Sequence, residues 1–128
     1  MKFLIIGIGG FMGANARYLI DGWVQNRVGP GFPYGTFFVN VTGCFLIGVF
    51  ATLALRLAWS DEWRLLVVIG FIGAYTTFST VEYETLRMLS EGLRWRAAVF
   101  NVAGSAIVGL AAVYLGVVAA RLLIAMRH

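Results

Sequence analysis

The feature that most constrains this chain is the length of its uncharged segments. Residues 97–120 carry no charged side chain, and residues 28–55 form a second uncharged stretch. About 20 consecutive apolar residues are enough for a helix to cross the hydrocarbon core of a bilayer. Because 60% of the 128 residues are hydrophobic, a soluble domain of this size could not bury so much apolar surface. The sequence therefore predicts a membrane protein.

Four spans nearly exhaust the chain, so we expect an all-α membrane protein with one four-helix transmembrane domain, residues 1–128. Proline and glycine between residues 29 and 35 predict a loop before the second span. The first span competes with a signal peptide, because Ala14-Asn15-Ala16 resembles a cleavage site; the three later spans make a membrane protein in either case. The spans are expected at about residues 3–24, 34–55, 63–89 and 97–120.

The third span is too long and too polar to be one straight helix. Its 27 residues would measure about 40 Å at about 1.5 Å per residue. Residues 76–80 read Thr-Thr-Phe-Ser-Thr, and Glu82 and Glu84 follow. Backbone groups loosened inside a membrane must be satisfied within protein or beside water. We therefore expect a break near residues 73–77, and the alternative is a tilted helix whose hydroxyls bond back to its own carbonyls.

The cations give the chain no preferred orientation. Lys2, Arg56, Arg64, Arg121 and Arg127 fall on one side of a four-span topology, and Arg17, Arg27, Arg87, Arg94 and Arg96 on the other. Without a bias, copies can insert both ways and pair about a two-fold axis in the membrane plane. The cations are scattered rather than clustered, so the lipid bilayer rather than nucleic acid is the expected partner.

Small residues predict close helix packing. Gly9 and Gly13 form a GxxxG pair in the first span, and a stripe of small residues follows the fourth. Small side chains let helices approach closely in lipid. Because four short helices enclose little by themselves, we expect an oligomer. The stripe comprises Ser105, Gly109, Ala112 and Gly116.

No enzyme signature is present, so the chain is not expected to be an enzyme. His128 is the single histidine and Cys44 the single cysteine. Those counts exclude Ser-His and Cys-His catalysis, a histidine-based metal site, a thiolate zinc cluster and an intrachain disulfide. The glycines at 7, 9 and 10 lie within a span and follow no strand, so they do not form a phosphate-binding loop.

The polar residues inside the spans are candidates for an ion site. Asn40 has amide donors that need a partner in hydrocarbon, either another helix or an anion. Phe78 could be core or lipid-facing filler, or its positive ring edge could face an anion beside the hydroxyls of Ser79 and Thr80. Arg17 could raise the anion concentration at a pore mouth. Glu82 and Glu84 would repel an anion unless they are kept off its path or paired, for example with Arg87 one turn from Glu84.

Three motifs resemble the Fluc/CrcB family of fluoride channels. They are Gly13-Ala-x-x-Arg17, Gly35-Thr-x-x-x-Asn40 followed by Gly43, and the run of residues 70–80 with Glu84. The resemblance implies a dual-topology antiparallel dimer with two pores, which passively exports fluoride and confers fluoride resistance. It also implies a structural sodium ion at the dimer interface, held by the backbone carbonyls of Gly73 and Thr76.

The same resemblance implies roles for individual residues. Asn40 matches the pore asparagine and Phe78 the first pore phenylalanine, with the hydroxyls of Ser79 and Thr80 beside them and Arg17 in the vestibule. The chain departs from the family pattern at Val81, which replaces a second phenylalanine, and at Glu82, Gly109 and Val113, where small polar or hydroxyl side chains are usual. A homodimer is expected from the charge balance, and one half of a heterodimer with a paralogue is the alternative.

Two other classes remain open. A small dual-topology, proton-coupled cation or drug exporter would need a membrane acid, but Asp21 lies near the end of the first span, so Glu82 or Glu84 would have to serve. A non-transporting structural subunit would pass no ions at all.

The expected location is the plasma (inner) membrane of a bacterium-like cell, as a multi-pass protein.

Overall fold

The computed structural model describes residues 1–92 and 94–127, and within them all regular secondary structure is helical. His128, whose position entered the argument against histidine chemistry, lies outside the described residues. Four helical segments are long and apolar enough to cross a bilayer, which confirms the predicted all-α, four-span class. These segments are Lys2–Val28, Tyr34–Arg56, Asp61–Ser90 and Trp95–Ala125.

Helices α1 (Lys2–Val28) and α2 (Tyr34–Arg56) are joined by the predicted proline- and glycine-rich loop. Gly29 follows the last residue of helix α1 and caps it, and its φ of 107° lies in the left-handed region that favours glycine. Helix α1 continues to Val28, four residues beyond the expected end. In this last turn the side-chain amide of Gln25 binds the loop, since it donates to the carbonyls of Gly29 (2.6 Å) and Phe32 (3.0 Å). The side-chain oxygen of Gln25 accepts the backbone N–H of Gly35 at 3.1 Å.

The third span is broken, as the sequence predicts. It begins as α3 (Asp61–Arg64), continues as a π-helix (Leu65–Ile72) and a short α4 (Gly73–Tyr75), and restarts as α5 (Phe78–Ser90). Between these pieces Thr76 and Thr77 are extended, with ψ angles of 156° and 118°. The π-helix was not expected, and such segments are rare and concentrate at functional sites.

Glycine contacts hold the spans together, and α6 (Trp95–Ala125) completes the bundle as one unbroken helix. A Cβ on Gly9 or Gly13 would strike the backbone of the π-helix at Leu66 or Phe71. On the other side, Gly48 of α2 and Gly116 of α6 bring their backbones together. These contacts confirm that the small residues serve close packing.

One prediction tests these glycine contacts. Gly116→Ala should destabilise the protein by about 1–3 kcal/mol, because the new methyl group meets the backbone of Phe45 and Val49. Gly7→Ala is the matched control, since Gly7 lies on α1 with open space around it. Thermal unfolding of the purified protein in detergent should show a lower midpoint for Gly116→Ala only. Equal midpoints for the two variants would contradict the packing described here.

Candidate functional site

Asn40 holds the break in the third span. Its side-chain Nδ2 donates to the carbonyl of Thr77 at 2.8 Å, and its Oδ1 accepts the N–H of Thr77 at 2.7 Å. The amide therefore satisfies both backbone groups of the extended Thr77, which would otherwise be costly in a membrane. The expectation of a hydrogen bond between helices is confirmed. The second N–H of the amide remains available, so a bond to an anion stays a prediction.

Helix α2 also contacts the chain just before the break, at Tyr75. The hydroxyls of Tyr75 and Thr42 lie 2.9 Å apart, and Tyr75 is buried. Because the Thr42 hydroxyl donates to the carbonyl of Phe38 at 2.8 Å, the Tyr75 hydroxyl is the donor of the pair. Gly43 allows this approach, since a Cβ there would collide with the methyl group of Thr76. One helix thus fixes the chain on both sides of the interruption.

The restart of the third span gathers the predicted hydroxyls. Thr77 caps α5, and its Oγ1 accepts the N–H of Thr80 at 3.4 Å. The same oxygen lies 3.0 Å from the hydroxyl of Thr80 and 3.4 Å from that of Ser79. The first N–H groups of a helix carry a partial positive charge. Ser79 and Thr80 therefore surround the positive end of α5.

A groove of about 330 Å³ lies beside the break. Of the residues predicted to contact an anion, Asn40 and Phe78 border it, whereas Ser79 and Thr80 do not. Phe78 is 78% exposed in the single chain, so its ring is not core filler within this chain. The remaining lining residues are Cys44, Thr76, Thr77, Val81, Glu82, Val102, Ser105 and Ala106.

The expected pairing of Glu84 with Arg87 is wrong. Glu84 instead accepts the hydroxyl of Thr36 at 2.7 Å, because its side chain turns toward α2. Arg87 pairs with Glu91, one turn further along α5 and exposed, at 3.1 Å. The second carboxylate oxygen of Glu84 is buried and has no hydrogen-bond partner within the described part of the chain.

Sequence reasoning missed Asn101 on α6. This residue is fully buried, and its Nδ2 donates to the hydroxyl of Thr85 at 3.0 Å and to the carbonyl of Val81 at 3.3 Å. Its Oδ1 has no partner among the described residues, and neither has the hydroxyl of Ser105, one turn away. An asparagine in an uncharged span with a serine four residues later is the signal that could have found them.

Other predicted positions lie away from the groove. Gly109 and Val113, which the family resemblance aligned with the pore wall, do not border the groove of the single chain; Gly109 lies beside the Cys44 thiol, and the backbone carbonyl of Val113 lies against Gly48 of α2. Ser105 borders the groove in their place. Arg17 is half-buried on α1 and borders neither the groove nor a second cavity near the α1–α2 loop.

That second cavity measures about 350 Å³ and is strongly polar. Glu84 borders it, and the same side chain accepts the hydrogen bond from Thr36 that joins α5 to α2. Arg94, the residue before α6, also borders it and donates to the carbonyl of Gly31, which ties the start of α6 to the loop. Its charged and amide lining residues are Asp21, Gln25, Glu84, Arg87, Glu91 and Arg94.

The break also frees backbone oxygens. In a continuous α-helix the N–H of Thr77 would bond to the carbonyl of Gly73, but here it bonds to Asn40. Thr76 is extended, so its own carbonyl leaves the helical ladder. Freed carbonyl oxygens are the ligands that hard cations prefer. Gly73 and Thr76 therefore have the donor chemistry that a sodium ion requires.

Comparisons with known proteins agree with these observations. The family model described as "CrcB-like protein, Camphor Resistance (CrcB)" matches residues 4–117. A protein of Acidobacterium capsulatum is 49% identical over 98% of this chain and 100% of its own length. Proteins of Solibacter usitatus and Geobacter metallireducens are each 48% identical over 94% of this chain and 99% and 98% of their own lengths. All three are called "Fluoride-specific ion channel FluC".

The family-model match covers the second and third spans, including the broken segment between residues 70 and 80, and most of the first and fourth spans. Identity of nearly one half over almost the whole length excludes a similarity confined to one motif. The chain is therefore a multi-pass membrane protein that belongs to the CrcB family.

Proposed function

We propose that this protein is a fluoride-specific passive ion channel that exports fluoride across the plasma (inner) membrane. The observation that carries the proposal is the break held by Asn40, which opens onto a groove shared by an amide, an exposed benzyl ring and hydroxyls. The names of the close relatives support fluoride as the ion. A channel of this kind moves an ion without covalent chemistry, so it is not an enzyme.

The chemistry of the groove suits a small, strongly hydrated anion. Such an ion enters only where donors replace its water, and it must be held weakly at several positions so that it can leave. Asn40 keeps one N–H free, and Phe78 presents a ring whose edge is positive. The Ser105 hydroxyl is buried and has no acceptor among the residues that the structure describes, so it could donate to an ion. Thr76 and Thr77 also border the groove, while the hydroxyls of Ser79 and Thr80 lie outside it, at the positive start of α5.

The exporter alternative has weaker support. A proton-coupled exporter needs an acid in the middle of its binding site, and Asp21 and Glu84 both border the cavity near the α1–α2 loop instead. Glu84 is also engaged by Thr36. Glu82 borders the groove, but it is exposed, whereas an acid that couples transport to protons is expected inside the bundle or a water-filled cavity.

We further propose an antiparallel homodimer with two pores. One chain forms only part of a pathway, since Phe78 is 78% exposed and the groove is open along one side. A second copy would close that side. The equal division of cations between the two membrane faces favours copies of opposite orientation. A heterodimer with a paralogue would close the groove equally well and is the alternative outcome of a topology experiment.

A structural sodium ion at the two-fold axis is the remaining part of the proposal. Gly73 and Thr76 would hold it through the carbonyls that the break frees. Two such carbonyls from each copy would supply four oxygen ligands. The bound cation would keep the two breaks together, and Arg17 would act on anions at the vestibule rather than at the groove.

Two pore substitutions test the fluoride pathway. Phe78→Ile removes the ring edge and Asn40→Asp replaces an amide donor with a carboxylate, so each should lower fluoride efflux by about tenfold or more, which corresponds to about 1.4 kcal/mol. Efflux is measured with a fluoride electrode on liposomes containing the protein. Phe11→Ile and Asn15→Asp are the matched controls, because both residues are exposed on α1. Normal efflux in both pore variants, with an unchanged dimer, would remove these residues from the pathway.

Topology is tested with a single cysteine. In a Cys44→Ser, Ser60→Cys protein, which keeps all ten cations, a membrane-impermeant maleimide should label about half of the copies in intact spheroplasts, and the rest only after permeabilisation, if the chain inserts equally both ways. Labelling of all copies or of none from outside would contradict an antiparallel homodimer. Labelling near one half together with isolation of a single species on size exclusion would favour it over a heterodimer.

Sodium is tested by thermal unfolding in detergent. A cation that binds only the folded dimer raises its stability with concentration. The unfolding midpoint should therefore rise as sodium is added and should not rise with equal concentrations of potassium or N-methylglucamine. Identical midpoints in the three salts would contradict the sodium site. The fluoride efflux experiment is independent of this result.

A further inference from the structure

Among the described residues that border the groove, Glu82 is the one with a charged side chain, and the pathway proposed above gives it no role. Glu82 borders the groove together with Asn40 and Phe78, and it is exposed. The ion pairs in the described part of the chain join Arg64 to Asp61 and Arg87 to Glu91, and neither involves Glu82. The side chain also makes no hydrogen bond with the described residues.

The position of Glu82 on α5 brings its charge close to the ring of Phe78. The two residues are four apart on one helix, a spacing that places their Cβ atoms about 5–6 Å apart on the same face. Glu84 lies on another face of α5, where it meets Thr36 of α2. Glu82 and Phe78 thus share one face of α5, and both border the groove.

Among the described residues that border the groove, none carries a positive charge. Helix α2 contributes Asn40 and Cys44 to the groove, and α6 contributes Val102, Ser105 and Ala106. Cys44 is the only other titratable residue among those that border it. An unneutralised charge in a site lined mainly by apolar atoms acts over a longer distance than it does in water.

We propose that Glu82 limits the rate at which this protein conducts fluoride, by placing a fixed negative charge beside the anion at Phe78 and Asn40. This inference rests on the proposed function. The amide, the hydroxyls and the start of α5 attract the anion, whereas the carboxylate of Glu82 opposes its entry and shortens its stay. The residue therefore sets the balance between binding and release, and it acts through charge rather than shape.

A charge series at position 82 tests this role. Fluoride current is recorded across planar bilayers at low ionic strength for the unaltered protein and for Glu82→Asp, Glu82→Gln and Glu82→Lys. At fluoride concentrations below half-saturation, Glu82→Gln should carry about three- to tenfold more current. Glu82→Lys should reach half-saturation at a lower fluoride concentration than Glu82→Gln, because its charge is positive. Glu82→Asp keeps the negative charge and should behave like the unaltered protein.

Two further measurements separate a charge effect from a structural one. Added inert salt should shrink the difference between the unaltered protein and Glu82→Gln, because salt screens a charge but does not restore a lost contact. Glu62→Gln is the matched control, since Glu62 is exposed at the start of α3 and outside the groove. Its current should be unchanged.

Each outcome has a definite reading. Equal or smaller current in Glu82→Gln than in the unaltered protein overturns the inference and leaves the proposed channel intact. A salt-independent increase also overturns it, because the effect would then come from packing. If the unaltered protein carries no fluoride current, the proposed function fails and the inference fails with it.

Discussion

The two hydrogen bonds between Asn40 and the backbone of Thr77 are the interaction on which the rest of the site depends. An interrupted helix inside a membrane leaves N–H and C=O groups that cost several kcal/mol each if they stay unpaired. A side-chain amide presents an N–H donor and a carbonyl acceptor at the spacing of a peptide group, so it can replace a missing backbone partner and still keep a second N–H. The third span can therefore stop and restart without water. Its second half begins at Phe78, with its positive end beside the groove.

Close backbone packing makes this interaction possible. Asn40 reaches Thr77 because α2 lies near the break, and Gly43 leaves room there for Thr76. Glycine contacts at Gly48 and Gly116 hold α2 against α6, while those at Gly9 and Gly13 hold α1 against the π-helix. In lipid the bundle gains little from hydrophobic burial, so these contacts and the hydrogen bonds across helices supply the cohesion.

The buried polar groups fall into two sets with different consequences. Asn40, Tyr75 and Thr42 have protein partners and serve as the frame of the break. The Oε2 of Glu84, the Oδ1 of Asn101 and the hydroxyl of Ser105 are buried without partners in the described residues. Unpaired buried polar atoms need water, an ion or another chain. Of these residues, Glu84 borders the polar cavity and Ser105 borders the groove.

Local pattern determined much of this protein. Span number, the loop before Tyr34, the break near Thr77 and the glycine contacts follow from residue type and spacing, because hydropathy and backbone conformation depend on neighbours in sequence. The tertiary structure alone decided which side chains contact each other across the helices. It joined Glu84 to Thr36 instead of Arg87, brought Asn101 and Ser105 to α5, and turned Gly109 and Val113 toward α2. Those choices depend on how each helix is rotated about its axis, and in a chain that is apolar on nearly every face, composition does not specify that rotation.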